Sequence, residues 1–399
     1  MERDERQNAP APAAAPTPDY WGRASGAYRT LFRILLISLP IFIVLFAIVC
    51  AGAFSYDSVL GFLRDIRSAS SFVPAEYRTV TYSYEEGDYT VLPLGGGVAA
   101  VNGGGIEIYS PDGTRLLDVT MELRAPRAVC SDKRLLAYDF GGTDFTVTDT
   151  YAKLHHGSAD FPICLAAIGD SGRFALVTTS DEHLSQVVVY DANFNLIQRF
   201  GRASATTGVA LSDNGRYVAL AGLLAEEGKA QSVLELYRIG ATEPTFSCRL
   251  AGEYALSLSF TDQRHVALLT DRALRVYDTS GKVAQEIAFE GGAPAAFAAC
   301  DDGCLIAVRE DAFSALYRVI VLNKKGKITY NDNYTGDIGA VALCGGYAFL
   351  LENEAVARIT LKDAQITKGA VAPGATGLFA IDGDRVRVIY AGEALYYVF

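Results

Sequence analysis

From residue 77 onward the apolar positions fall into short runs of about five residues, separated by tight turns rich in Gly, Asp and Asn. Runs of that length, rich in Val, Ile, Leu, Tyr and Phe, predict strands; helix-length amphipathic stretches are missing there. The runs recur in one order: an apolar strand, a tight polar turn, a second apolar strand, a loop, a third strand ending in Tyr-Asp or similar, a Gly-containing turn and a short fourth strand. The second strand begins at Val98, Leu135, Phe174, Tyr217, Val266, Leu305, Tyr347 and Val386, at spacings of 37 to 49 residues. The third strand reads IEIY to Tyr109, VVVY to Tyr190, LELY to Tyr237, LRVY to Tyr277 and VIVL to Leu322. Four strands per unit at a period near 40 predict an all-β propeller of eight blades, with seven as the alternative. Stacked sandwiches would not keep one motif in phase along the chain. The last unit supplies only three strands, near residues 377–381, 385–390 and 394–399, whereas residues 77–83 (YRTVTYS) form a strand with no unit of their own. Pairing the two closes the ring and leaves no open edge, so residues 77–83 are expected to be the outer strand of the last blade.

Upstream the pattern changes. Residues 34–54 carry no charge over 21 positions, enough at about 1.5 Å per residue to cross a hydrocarbon core of roughly 30 Å. Arg23, Arg29 and Arg33 precede this stretch closely, while Arg64 and Arg67 follow at a distance beside Asp57 and Asp65. The positive-inside rule then orients the N-terminus to the cytoplasm and the rest outside it. The expected organisation is a disordered cytoplasmic tail over 1–30, a transmembrane helix over 31–54, a juxtamembrane helix or linker over 55–76 and the propeller over 77–399. A cleaved signal peptide is the rival reading, since Ala51-Gly52-Ala53 resembles a cleavage site, but the apolar stretch is longer than such peptides use. Val49 before Cys50 argues against a lipidation signal.

The net charge of −11 bears on partners. Residues 1–54 hold five Arg and four acids, so the acidic excess belongs to the folded part, which would repel nucleic acid. Seven cysteines in 399 residues are too few for a disulfide scaffold. Cys130, Cys300 and Cys344 fall at the ends of first strands, where Ser212 and Thr261 stand in other units, so the slot takes a small residue. Cys300 and Cys304 flank a hairpin turn and could face each other.

Motifs suggestive of chemistry reduce to turns. Gly169-Asp170-Ser171-Gly172 matches a serine-protease nucleophile motif, but one unit later the same slot reads Ser-Asp-Asn-Gly. Gly95-Gly96-Gly97 resembles a dinucleotide loop without the helix that must follow. His155 and His156 are expected in an inter-blade loop, His183 in another loop, and His265 at the start of a strand; no convergent third or fourth ligand is visible for a metal. Residues 331–337 (NDNYTGD) lack the terminal Glu of a calcium loop and are expected to join two blades. No catalytic, cofactor-binding or metal-ligating residue is assigned.

Strand direction sorts the connections onto two faces. Loops between the second and third strands carry Asp144, Asp181, Glu182, Glu226, Glu227, Asp271, Glu310, Asp311, Glu352, Glu354 and Glu393, the candidate partner-binding residues. The opposite face carries Lys and Arg mixed with turn aspartates, of which Lys324, Lys325 and Lys327 are candidates to face an anionic membrane.

The SDNGRYVAL stretch at residues 212–220 and LRVYD at 274–278 resemble WD40 and YVTN-type propellers, although the Gly-His and Trp-Asp signatures of the former are missing. The layout of basic, Pro-rich tail, single span and propeller is similar to that of an uncharacterised family of bacterial membrane-anchored propellers, a domain of unknown function. That resemblance implies no activity. The expected role is a non-enzymatic, extracytoplasmic module on the cell membrane that binds an unknown protein or cell-envelope polymer and no cofactor. A lactonase-like propeller enzyme and a structural scaffold for envelope assembly are the alternatives; a quinone-dependent enzyme is disfavoured because Trp21 is the sole tryptophan.

Overall fold

In the computed structural model, residues 77–84 and 89–399 are described, apart from 227 and 312, together with five isolated helical positions between 32 and 39. The expected tail, the remainder of the transmembrane segment and the juxtamembrane linker lie outside the described residues. Among the described residues no helix is long and apolar enough to cross a membrane.

The β structure is eight four-stranded antiparallel sheets, the blades of a propeller. We letter the strands of each blade A to D from the channel outward. Blade 1 comprises Thr90–Leu94, Gly97–Asn102, Gly105–Tyr109 and Arg115–Thr120, and six further blades follow in the same order to Ala370. Blade 8 takes its A, B and C strands from Gly377–Ala380, Arg385–Tyr390 and Glu393–Val398, and its D strand from Val80–Thr81. The second strands begin within two residues of the positions read from the sequence.

The reason the sequence reads this way is double burial. Blades pack face to face, so B and C strands are covered on both sides and appear as nearly continuous apolar runs; Gly97–Asn102 and Phe174–Thr178 are buried at every residue. Successive side chains of one strand serve opposite interfaces. Leu305 and Ala307 pack against Ala348 and Leu350 of blade 7, whereas Cys304, Ile306 and Val308 pack against Ala267 and Leu269 of blade 5. Cys300 packs on the blade 7 side and Cys304 on the blade 5 side, and both thiols are free. The Cys at the end of an A strand donates to a carbonyl of the neighbouring blade: Cys130 to Pro93, Cys300 to Leu343 and Cys344 to Ile381. Burial pushes the Cys130 and Cys304 thiols up to about 12 and that of Cys300 to about 11, which keeps them neutral.

Polar residues in the middle of apolar C strands act as latches to the preceding blade. Glu107 accepts from the Ser83 amide and hydroxyl. Glu235 pairs with Arg202 at 2.6 Å, and Arg275 with Glu253 at 2.6 Å. The tyrosine two residues on follows suit, with Tyr109 and Tyr237 donating to Glu107 and Glu235.

Two expectations need correction. His155 and His156 are in the outer strand Lys153–Ser158, not in a loop; His155 stacks on Phe194 at 4.6 Å and His156 bonds Thr146. Residues 331–335 likewise belong to the outer strand Ile328–Thr335. A D strand has one edge in water, and polar residues there do not interrupt the ladder.

Closure follows the expected pairing over a shorter span. Val80 and Thr81 pair with Ala394 and Glu393, and the Tyr82 amide extends the ladder to the Gly392 carbonyl. Before Val80 the strand is drawn towards blade 1, because the Arg78 amide donates to Pro111 in the C–D turn of that blade. Val80 and Tyr82 are buried among Val98, Ala100, Tyr109 and Ile389. Arg387 ties the junction together. It is 1% exposed and donates to the carbonyls of Arg78 (3.1 Å) and Pro111 (2.7 Å), so one guanidinium joins blade 8, the closing strand and blade 1. Tyr77 lies over the cation and stacks on Tyr396.

Hydrogen bonds to a charged donor contribute roughly 1.5–3 kcal/mol each. Arg387→Met keeps the volume and removes both donors. Relief of the desolvation cost of the buried cation offsets part of that loss, so stability is expected to fall by about 2–4 kcal/mol in denaturant titrations, and amide exchange to speed at residues 80–82 and 393–398 ahead of the other blades. Unchanged exchange there would show that the guanidinium does not hold the ring closed.

Candidate functional site

The eight A strands enclose a central cavity of about 880 Å³, walled by Ala166, Ala167, Val209, Leu211, Leu258 and Leu343 among others. At one end the A–B turns bring carboxylates together across the channel. Oxygens of Asp132, Asp170 and Asp301, from blades 2, 3 and 6, lie within 4.8 Å of one another, and Asp213 of blade 4 lines the same cavity. Asp170 also accepts from the Asp132 amide at 3.0 Å.

Like charges at that separation repel by roughly 3 kcal/mol at an effective dielectric of about 20. Desolvation first, and the neighbouring aspartates second, push Asp132 and Asp301 above the usual carboxylate range and Asp213 up to about 6. Asp262 and Asp382 hold the same turn slot in blades 5 and 8 and behave oppositely. Asp382 is lowered chiefly by its bond from Arg385. At Asp262, desolvation is outweighed by bonds from the Arg264 amide and His265, whose Nδ1 lies 2.8 Å from its carboxylate. Asp132, Asp170 and Asp301 are the residues that could hold a cation together. The turn positions themselves carry no nucleophile geometry: Gly172 (φ +78) and Gly215 (φ +63) close equivalent turns onto the carbonyls of Gly169 and Ser212.

The same face carries the basic residues read from the sequence. Several are engaged. Arg134 donates to the Gly172 and Ala192 carbonyls, and Arg173 to Gly215, each bridging to the next blade. Lys324, Lys325 and Lys327 are exposed in the C–D turn of blade 6. This turn face is therefore acidic at its centre and also carries exposed lysines.

The opposite face, formed by the B–C and D–A connections, is lopsided. Blades 1, 5 and 8 turn in two residues, while blades 3 and 6 have loops at residues 179–184 and 310–315, and blade 4 extends a hairpin of two ten-residue strands, Tyr217–Glu226 and Lys229–Arg238. The eleven acids expected on this face separate by environment. Asp144, Asp181, Glu182 and Glu354 are exposed, with no ion pair among the described residues. Glu310 lies 3.5 Å from Arg318 and Asp271 3.9 Å from Arg272. Asp311 accepts from the Phe313 amide. Glu352 is held by Lys368 at 2.8 Å and by the Tyr334 hydroxyl, and so braces blades 6 and 7. Glu393 belongs to the closing ladder. The side chains of Glu226 and Glu227 lie outside the described residues. Apolar side chains share this face in the open: Leu184, Tyr254, Leu256 and Phe313 are all more than half exposed.

Residues 73–394 match a family of unknown function (DUF5711), and the chain belongs to that family. No curated protein matches the sequence significantly. Among solved structures the chain is similar to BamB from Moraxella catarrhalis, at 14% identity and a TM-score of 0.51 over 80% of this chain and 98% of that one. The WD40 domain of Pan2 from Neurospora crassa aligns at 10% identity and a TM-score of 0.46, over 67% of this chain and 86% of that one. At such identities the likeness to BamB concerns the fold.

The carboxylate cluster predicts a pH dependence. Asp213 binds its proton more tightly in the folded state than its ordinary value allows in the unfolded chain. Stability therefore falls as pH rises from about 4 to about 6 and stays reduced above that. Asp213→Asn is expected to flatten the fall and to raise stability at pH 7.5 by about 1 kcal/mol after solvent screening, measured by thermal unfolding across pH. A variant that loses stability at pH 7.5 would show that the ionised carboxylate has a favourable partner.

Proposed function

We propose that this chain is a membrane-tethered, non-enzymatic binding module whose propeller stands outside the cytoplasm and whose B–C/D–A face receives a protein or cell-envelope partner. The observation that carries the reading is the face on which the described part of the propeller begins. The Arg78 amide donates to Pro111 in a C–D turn, so Arg78 lies on the turn face, opposite the raised loops. Those loops present exposed acids (Asp181, Glu182) and exposed apolar groups (Leu184, Phe313). Variable loops on a rigid ring are a common way to build a binding surface. The channel-mouth aspartates favour a second reading, a cation-dependent lactonase-like hydrolase, but three carboxylates alone do not specify chemistry.

Membrane-impermeant thiol labelling of intact cells is expected to reach Asp181→Cys and to miss Ala13→Cys; the reverse pattern refutes the orientation. Cross-linked capture from membranes is expected to lose its partner when Asp181 and Glu182 are neutralised and to keep it in Asp132→Asn, whereas a hydrolase reading demands sensitivity at Asp132. Lysines near an anionic surface contribute about 1 kcal/mol each. Reversing Lys324, Lys325 and Lys327 to Glu should therefore weaken binding of residues 73–399 to anionic vesicles at least tenfold, and equal binding would remove the membrane-facing assignment.

A further inference from the structure

The loop face contains more than scattered acids. Phe313 stands at the tip of the blade 6 loop with 99% of its surface in water, and Leu184 at the end of the blade 3 loop with 65%. Between them around the ring, Tyr254 and Leu256 at the start of blade 5 are 51% and 55% exposed. The Asp311 carboxylate accepts from the Phe313 amide at 3.0 Å, and the Asp311 carbonyl accepts from the Ser314 amide. The Tyr254 loop is tied to the blade 5 turn by reciprocal bonds, Tyr254 amide to the Asp271 carboxylate and Asp271 amide to the Tyr254 carbonyl. Apolar groups held out on loops are what an interface core requires.

The charge around them has one prevailing sign. Asp181 and Glu182 precede Leu184, and Glu310 and Asp311 precede Phe313. The cations on these loops are fewer. Arg272 faces Asp271, Arg318 faces Glu310, Arg309 faces Asp337 at 3.9 Å, and Lys229 follows the hairpin turn. A second copy of the chain would bring the same acids against these, and an anionic polymer or lipid surface would be repelled. A cationic partner gains from both features at once, steered by the acids and anchored by the apolar groups.

We infer that the loop face over blades 3 to 6 docks a basic protein segment that inserts apolar or aromatic side chains against Phe313 and Leu184. The inference rests on the reading of this face as the binding face and adds the chemistry of the partner.

The test uses the full chain in detergent and a displayed library of random 12-residue peptides. Selected sequences should be rich in Lys or Arg flanking Leu, Phe, Tyr or Trp. A resynthesised peptide should bind at least about tenfold more weakly to Phe313→Ala and several-fold more weakly to the Glu182→Gln, Glu310→Gln double variant. Lys325→Glu on the opposite face should leave binding unchanged. Phe313 is almost wholly exposed, so its removal leaves folding intact; circular dichroism checks this, and Leu184→Ala provides a second probe. Selection of acidic or uncharged peptides that still depend on Phe313 overturns the basic-partner inference and leaves the binding face standing. Peptides indifferent to every loop-face substitution remove both. Self-association of the chain that Phe313→Ala abolishes would assign the patch to a second copy and likewise overturn the inference.

Discussion

Pairing of Val80 and Thr81 with Ala394 and Glu393 turns a row of eight sheets into a ring. Every other feature depends on that contact. With the ring closed, the A strands enclose a channel, the turn aspartates of blades 2, 3 and 6 meet across it, and the connections fall on two distinct faces. With the ring open, blades 8 and 1 would each expose an apolar flank. Two residues of ladder are little for such a task, and the protein reinforces them with Tyr82, with Tyr77 stacked on Tyr396, and with the Arg387 cation shared among three backbone segments.

Between closure and loops lies a scaffold that is uniform in kind and varied in detail. Alternating side chains of each B and C strand fill successive interfaces with aliphatic groups, while latches such as Arg202–Glu235 and Arg275–Glu253 fix how one blade sits on the next. The desolvation cost of such pairs offsets much of their attraction, so their net contribution to stability is small. A frame fixed at every junction leaves the connections free to differ. That difference is where the blade 3, 4 and 6 elaborations arise.

Much of this architecture was legible in the sequence because double burial writes itself into it. B and C strands appear as unbroken apolar runs ending in tyrosine, and the Gly or Asp turn before each B strand keeps the phase. The outer strands were harder to read. His155, His156 and residues 331–335 sit at an edge where only alternate positions touch a neighbour, so polar residues there look like a loop. The carboxylate cluster was hidden for another reason. Each of Asp132, Asp170, Asp213 and Asp301 is an ordinary turn former in isolation, and their convergence comes only from the small radius of the ring at its axis. The signal was present nonetheless: aspartate recurs in the same slot of six units, and one slot repeated around a circle faces itself. Which aspartates then meet was not readable, since it depends on local partners such as His265 and Arg385.

The closing strand also sets the timing of assembly. Val80 and its partner Ala394 are separated by more than three hundred positions, so the first described strand to emerge from a ribosome is the last to be satisfied. At roughly 5–20 residues per second, synthesis of the intervening chain takes roughly 15–60 s. Throughout that interval Val98, Ala100 and Tyr109 of blade 1 lack the neighbours that later bury them. The inner blades can stack as they emerge, but a growing arc has two sticky ends until its circle completes. Vectorial synthesis thus makes the junction between the first and last blades the step most open to mispairing with another nascent chain.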